Sequence, residues 1–241
     1  MTRYLLATRH PAECHELQEL LAPCGWAVRP YPVLRINDVQ DDAGWERALR
    51  LLAEWRASCW LTLTSPRAPT PLVRHARERD AEAVLELPIA VVGEATAKAA
   101  DRAGLAVELV GAGTGVELAR ELIGRLEPGA PVIMACGRDH RPELPSALEA
   151  AGHHAHPLLV YRMDPTPPRE LPPLGPGLEA VLLTSPRAAR LYLENVGGRP
   201  LPLPHWALGP TTREAALGLG IECRIPPSPD FHSFAEELCK T

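Results

Sequence analysis

The stretch Val91–Leu109, VVGEATAKAADRAGLAVEL, is matched 116 positions later by Ala207–Ile225, ALGPTTREAALGLGIECRI. The two align Gly93 with Gly209, Thr96 with Thr212, Ala99 with Ala215 and Gly104 with Gly220. Each reads as a short apolar strand, a turn of small residues, and a helix that stops on glycine, the residue favoured just past a helix end. Working outward, TSPRA stands at Thr64–Ala68 and again at Thr184–Ala188, an offset of 120. The offset of 116 also sets Ala119, Glu121 and Leu122 on Ala235, Glu237 and Leu238. LLATRHPAECHELQELLAPCGWAV, from Leu5, resembles VIMACGRDHRPELPSALEAAGHHA, from Val132, with Gly25 opposite Gly152. One architecture is written twice.

The apolar runs YLLAT, WLTLT and IAVVG, then VIMAC, AVLLT and WALG, alternate with helical patterns. Strand, helix and strand in alternation imply parallel sheets covered on both faces. Pro165–Gly177, PTPPRELPPLGPG, is too rich in proline for a helix or a central strand and reads as a loop. Pro30–Asp38 (PYPVLRIND) and His156–Asp164 (HPLLVYRMD) are both extended and proline-flanked. Each comes directly after the first βαβ unit of a copy, so both read as connectors between domains.

With 241 residues, 46% of them hydrophobic, the chain can bury a proper core without a metal or disulfide staple. A formal charge of -5 leaves no basic footprint for nucleic acid. No apolar run is long enough to span a membrane, and the start MTRYLLATRHPAE does not read as a signal peptide, so a cytoplasmic protein is expected. Cys14, Cys24, Cys59, Cys136, Cys223 and Cys239 form no close pair, and all are expected to be reduced, mostly buried thiols.

Helix N-termini carry unpaired N–H groups and positive partial charge, and in parallel α/β sheets they gather at the carboxyl edge of the strands. Six strand-to-helix junctions carry small or hydroxyl residues: TRHP, TSPRA, VGEATA, CGRDH, the second TSPRA and GPTT. In the TSPRA pair, Ser65 and Ser185 suit the N-cap, and Pro66 and Pro186 the first helical turn. Any one junction reads as ordinary capping. Six together, three per copy, fit a crevice that holds several anions without cationic side chains. GAGTGV (Gly111–Val116) follows a strand and opens a helix, but Val116 stands where a dinucleotide fingerprint has glycine, so it reads as a turn. No phosphate loop or nucleophile elbow is present. His153, His154 and His156 are expected on a solvated strand edge rather than around a metal. Tyr161, in the second connector where Leu34 holds the matching place in the first, is either a packing residue or a hydroxyl able to donate to a leaving oxygen.

In this order LLATRH, TSPRA, VVGEATA, MACGRD, LLVYRM, LLTSPRAA and LGPTTREAA resemble the uroporphyrinogen-III synthase family over essentially the whole chain. His10 stands where many members have proline. The resemblance implies an α/β fold of two similar parallel-sheet βαβ domains joined by a two-stranded antiparallel β hinge. One domain is discontinuous, residues 1–33 with 166–241; residues 39–156 form the inserted domain, and 34–38 and 157–165 the hinge. The repeat alone would cut the chain near residue 128. It further implies a lyase of tetrapyrrole biosynthesis, without cofactor or metal. Such an enzyme cyclises linear hydroxymethylbilane to uroporphyrinogen III in the inter-domain cleft, with loss of water and inversion of ring D. It would act as a monomer on substrate received from hydroxymethylbilane synthase. Tyr161 then carries over as the acid assisting hydroxide departure. Ser65, Thr96, Ser185, Thr211 and Thr212 carry over as cleft hydroxyls, and Arg9, Gly137 and Arg138 as binding residues at the other two turns. Two rival classes are a silent tetrapyrrole or anion sensor on the same fold and a nucleotide-dependent transferase or reductase.

Overall fold

A computed structural model describes residues 2–240. In chain order the elements are β1 (Arg3–Ala7), α1 (His15–Leu21), β2 (Trp26–Pro30), β3 (Leu34–Asp38), α2 (Asp42–Trp55), β4 (Trp60–Leu63) and α3 (Pro69–Glu78). There follow β5 (Ile89–Val91), α4 (Glu94–Arg102), β6 (Val107–Val110), α5 (Gly115–Ile123), β7 (Pro131–Gly137), α6 (Glu143–Ala150) and β8 (His154–Pro165). The chain ends with β9 (Leu178–Leu183), α7 (Pro186–Asn195), β10 (His205–Ala207), α8 (Pro210–Gly218), β11 (Cys223–Arg224) and α9 (Phe231–Cys239). The alternation read from the apolar runs is therefore present. Gly104 and Gly220 end α4 and α8 with φ of 80° and 77°, a left-handed conformation that glycine adopts without a steric penalty.

The chain divides into two compact units, Met1–Arg35 with Asp164–Thr241, and Ile36–Met163. The first holds a five-stranded sheet in the order β11-β10-β9-β1-β2, its neighbours parallel. Read from β2, this is the doubly wound order 2-1-3-4-5. The second sheet runs β3-β8-β7-β4-β5-β6, with β8, β7, β4, β5 and β6 parallel. Its strands from β8 to β6 keep the same spatial order, but the chain enters at the third position. The sequence repeat is thus a circular permutation, with β7 and β8 standing for β1 and β2, and β4 to β6 for β9 to β11.

Period-two alternation makes each sheet two-sided. In the second unit Leu61, Leu63, Ile89, Val91, Ile133 and Ala135 pack under α2, α3 and α4, while Trp60, Ala90, Val132, Met134 and Cys136 pack under α5 and α6. In the first unit Leu5, Ala7, Ala180 and Leu182 meet α1 and α9, while Leu6, Val181 and Leu183 meet α7 and α8. Chains leaving β4 and β7 therefore turn to opposite faces, as do those leaving β1 and β9. A crevice opens at each such point of divergence, at the carboxyl ends of the strands.

Two expectations are corrected. Cys24 and Cys239 are joined in a disulfide, with Cα atoms 5.6 Å apart across a sequence separation of 215. No spacing motif could show it, because α1 and α9 become neighbours only by packing on one sheet face. The remaining Cys14, Cys59, Cys136 and Cys223 are free, and burial pushes their thiols up to about 11, 11, 12 and 11. The expected solvated edge holds only in part: His154 is exposed and His156 half-buried, but His153, just ahead of β8, is buried and donates from Nδ1 to the Ala130 carbonyl at 3.3 Å. Among the described residues no group of three or more His, Cys, Asp or Glu is placed to hold a metal ion.

His75, His156 and His205 titrate below their ordinary value, in each case chiefly because burial disfavours the charged ring. His205 is also fully bonded as the neutral ring. Nδ1–H donates to the Leu203 carbonyl at 2.8 Å, and Nε2 accepts from the Tyr192 hydroxyl at 2.8 Å. The unfolded chain therefore takes up protons first, starting near 6.5, so stability falls as pH drops below that value. The urea midpoint is expected to be lower at about pH 5.5 than at about pH 7.5, before carboxylates begin to protonate. Equal midpoints would contradict the burial argument.

Candidate active site

The divergence between β4 and β7 holds a cavity of about 590 Å³, walled entirely by residues of the second unit. Thr64 and Ser65 follow β4, and Gly137, Asp139 and His140 end or follow β7. Gly113, Thr114, Gly115 and Val116 open α5, Glu143 and Leu144 open α6, and Tyr161 comes from β8. The volume suits an organic ligand.

Tyr161 reaches the cavity through an irregularity of the sheet. Cys136 pairs with Leu159 but Gly137 pairs with Tyr161, so β8 carries one extra residue, Val160, at this point. Such a bulge re-aims the side chain beyond it. Val160 and Tyr161 are consecutive yet lie on the same face, in the core under α2, α3 and α4. The ring then lies across Gly137. A methyl group on Gly137 would stand 2.6 Å from Cζ, 2.8 Å from Cε2 and 3.0 Å from the hydroxyl oxygen. The Arg138 N–H donates to the Tyr161 carbonyl at 3.0 Å, fixing the two strand ends together. Tyr161 is 8% exposed, and its hydroxyl makes no hydrogen bond among the described residues. The ring is held and the O–H is left to the cavity.

The far wall is made of helix starts. Thr114 caps α5 reciprocally: its Oγ1 accepts from the Glu117 N–H at 3.2 Å, and its hydroxyl donates to Glu117 Oε2 at 2.8 Å. α5 meets the start of α6 closely, since a Cβ on Gly115 would lie 3.1 Å from Leu144 N. Two sets of unpaired N–H groups thus face one cavity, an arrangement that favours carboxylates. Arg141 also lines it, and His140 donates from Nδ1 to the Gly137 carbonyl at 3.2 Å, leaving Nε2 as an acceptor. Asp139 and Glu143 set two carboxylates against the one guanidinium. The charged side chains that line the cavity therefore do not by themselves favour an anion, and the backbone dipoles of the helix starts do.

The nine residues singled out from the sequence are placed as follows. Tyr161, Ser65 and Gly137 meet in this cavity. Arg138 is exposed beside it and contributes the backbone bond just described. Thr96 is the third residue of α4, 1% exposed, and does not line the cavity. In the first unit Arg9, Ser185, Thr211 and Thr212 follow the carboxyl ends of β1, β9 and β10. Thr211 is exposed, while Thr212, in the third position of α8, is buried like Thr96. The Arg9 guanidinium lies 4.8 Å from the centre of the Phe231 ring. At that switch point Thr8 and Thr184 lace β1 to β9. The Thr184 N–H donates to Thr8 Oγ1 at 3.1 Å, the Thr8 hydroxyl to the Leu182 carbonyl at 3.1 Å, and the Thr184 hydroxyl to the Thr8 carbonyl at 3.1 Å.

The TSPRA pair is not symmetrical. Ser185 caps α7, its Oγ accepting from the Ala188 N–H at 3.1 Å, with Pro186 first in the helix. After Ser65 the helix starts only at Pro69, with Ala68 as N-cap, and Ser65 Oγ accepts from Arg67 N–H in a tight turn at 3.2 Å. Pro69 is the cause. In a helix begun at Pro66 it would have to donate to the Ser65 carbonyl, and it has no N–H. Ser185→Ala is accordingly expected to cost ~1 kcal/mol in urea denaturation, as loss of a cap does. Ser65→Ala should cost much less, and equal losses would refute the asymmetry.

The α5 wall and Arg141 are not among the residues that the sequence singles out. GAGTGV fails as a dinucleotide fingerprint, and the informative signal beside it is the capping box Thr114–Glu117 at the end of a strand.

Residues 15–236 match the family model described as uroporphyrinogen-III synthase HemD. Among solved structures, uroporphyrinogen-III synthetase from Helicobacter pylori 26695 is similar at 15% identity and a TM-score of 0.65, covering 99% of this chain and 98% of that one. A mutant uroporphyrinogen III synthase from the extremely thermophilic bacterium Thermus thermophilus is similar at 16% identity and a TM-score of 0.59, covering 99% and 98%. At these identities the two likenesses speak for the fold. No curated protein matches in sequence.

Proposed function

The chain belongs to the uroporphyrinogen-III synthase family, and on that premise we propose that it closes hydroxymethylbilane to uroporphyrinogen III at the Tyr161 cavity, with loss of water and inversion of ring D. The observation that carries this reading is an unengaged tyrosine O–H at the floor of a cavity walled by two helix starts. The O–H gives its proton to the ring A hydroxyl. The pyrrole nitrogen's electron pair expels water and leaves an electron-poor azafulvene. Ring D attacks through its substituted carbon, and the spiro intermediate fragments and recombines the other way round. The proton lost as ring D regains aromaticity returns to the tyrosine oxygen, so the balance is one water released. The N–H groups of α5 and α6, the Ser65 hydroxyl and Arg141 hold the acetate and propionate groups, and the chain's main task is orientation.

The domain reading belongs to the same proposal: 1–33 with 166–241 and 39–156, hinged at 34–38 and 157–165. Its support is that the unit boundaries fall within β3 and at the end of β8. Each unit also has its own switch point with hydroxyl residues. Arg9, Ser185, Thr211 and Thr212 serve there, and Thr96 and Thr212 shape the turns from inside.

The test is incubation with freshly made hydroxymethylbilane, followed by oxidation and separation of the type I and type III porphyrins. The type III isomer should dominate; a product no different from that formed in buffer alone would fit a silent sensor instead.

A further inference from the structure

Closing the macrocycle moves protons at two different carbons. Hydroxide leaves from the hydroxymethyl carbon of ring A, and the last proton leaves from the α-carbon of ring D that carries no substituent. Tyr161 serves the first, and its ring is pinned between Gly137 and the core under α2, α3 and α4. The second calls for a base. His140 follows the turn Arg138–Asp139 at the end of β7, is half-buried, and lines the same cavity. Its Nδ1–H donates to the Gly137 carbonyl at 3.2 Å, which fixes the tautomer and leaves a lone pair on Nε2. Nε2 makes no hydrogen bond among the described residues. Gly137 is therefore a common anchor, with the tyrosine ring across its Cα and the imidazole on its carbonyl. The carboxylates that line the cavity are worse placed. Asp139 is exposed and has a partner of its own, and Glu143 is exposed and first in α6, where the helix dipole stabilises the anion and weakens it as a base. A carboxylate would also repel the acetate and propionate groups of the substrate, which a neutral imidazole does not.

We propose that His140 is the catalytic base of the last step, taking at Nε2 the proton from the unsubstituted α-carbon of ring D. The electron pair of that C–H bond returns to the pyrrole and restores its aromaticity. The imidazolium then gives the proton to the tyrosinate left when water departed, so both side chains end as they began and one water is released. The proposal rests on the cyclisation reading and adds the base to it.

The test compares the full chain with His140→Gln, whose amide can still donate to the Gly137 carbonyl but offers no basic atom. Formation of the type III isomer should fall by about 10²–10⁴-fold in kcat, with KM close to the parental value. Hydroxymethylbilane carrying deuterium at the free α-carbon of ring D should show a larger isotope effect in the variant than in the parent. Added imidazole should restore part of the type III rate to His140→Ala, because the cavity has room for it. A parental rate in His140→Gln, a rise in KM alone, or a loss with neither imidazole rescue nor a larger isotope effect would each overturn the proposal. A parent that forms no excess of the type III isomer would overturn the cyclisation reading and this proposal together, whereas an active parent with an indifferent His140→Gln overturns this proposal alone.

Discussion

Tyr161→Phe is expected to leave the fold intact and to slow formation of the type III macrocycle by about 10²–10⁴-fold, the usual worth of general acid catalysis. The ring packs in the core under α2, α3 and α4, and phenylalanine fills the same space. Its hydroxyl bonds to nothing in the described chain, so its removal leaves no buried partner unsatisfied. Thermal midpoints of the variant and parent should therefore agree while the rates separate. Only the inverted isomer should be counted, because the linear substrate closes without help to the un-inverted one. A parental rate of type III formation in the variant would remove Tyr161 from the chemistry.

Gly137→Ala should cost nearly as much activity by a different route. The added methyl would sit 2.6 Å from Tyr161 Cζ, a separation no packed carbons tolerate, and the backbone beneath is tied by the Arg138–Tyr161 hydrogen bond. The ring has to swing away, taking its hydroxyl off the reacting oxygen. Overpacking of this kind costs about 1–3 kcal/mol, which lowers the denaturation midpoint without unfolding the chain. The diagnostic comparison is the double variant. If Gly137 acts by positioning Tyr161, then Gly137→Ala with Tyr161→Phe is no slower than Tyr161→Phe alone, since both remove one function. Multiplicative losses would show that Gly137 acts on something else.

Much of the fold could be read in the chain because local rules agreed with the tertiary structure. Short apolar runs became β1, β4, β5, β7, β9 and β10, and glycines closed the helices where a left-handed residue was needed. The repeated motifs fell at the carboxyl ends of strands, where parallel sheets diverge. The illegible features depend on neighbours distant in sequence. The disulfide joins residues brought together by α1 and α9, and the burial of His153 depends on Ala130 beyond α6. The delayed start of α3 follows from a single proline at position 69, which local reading of TSPRA passed over. In the site, Tyr161 and Gly137 were both visible as residues, but the bulge at Val160 that aims the tyrosine and the room that Gly137 leaves for its ring were not.

The central claim is that the cavity between β4 and β7 is where the macrocycle is made. A crystal structure with uroporphyrinogen III bound tests it most directly. The macrocycle should lie over Tyr161, with carboxylates on the N–H groups at the starts of α5 and α6. Product bound elsewhere, with that cavity holding only solvent, would contradict the account.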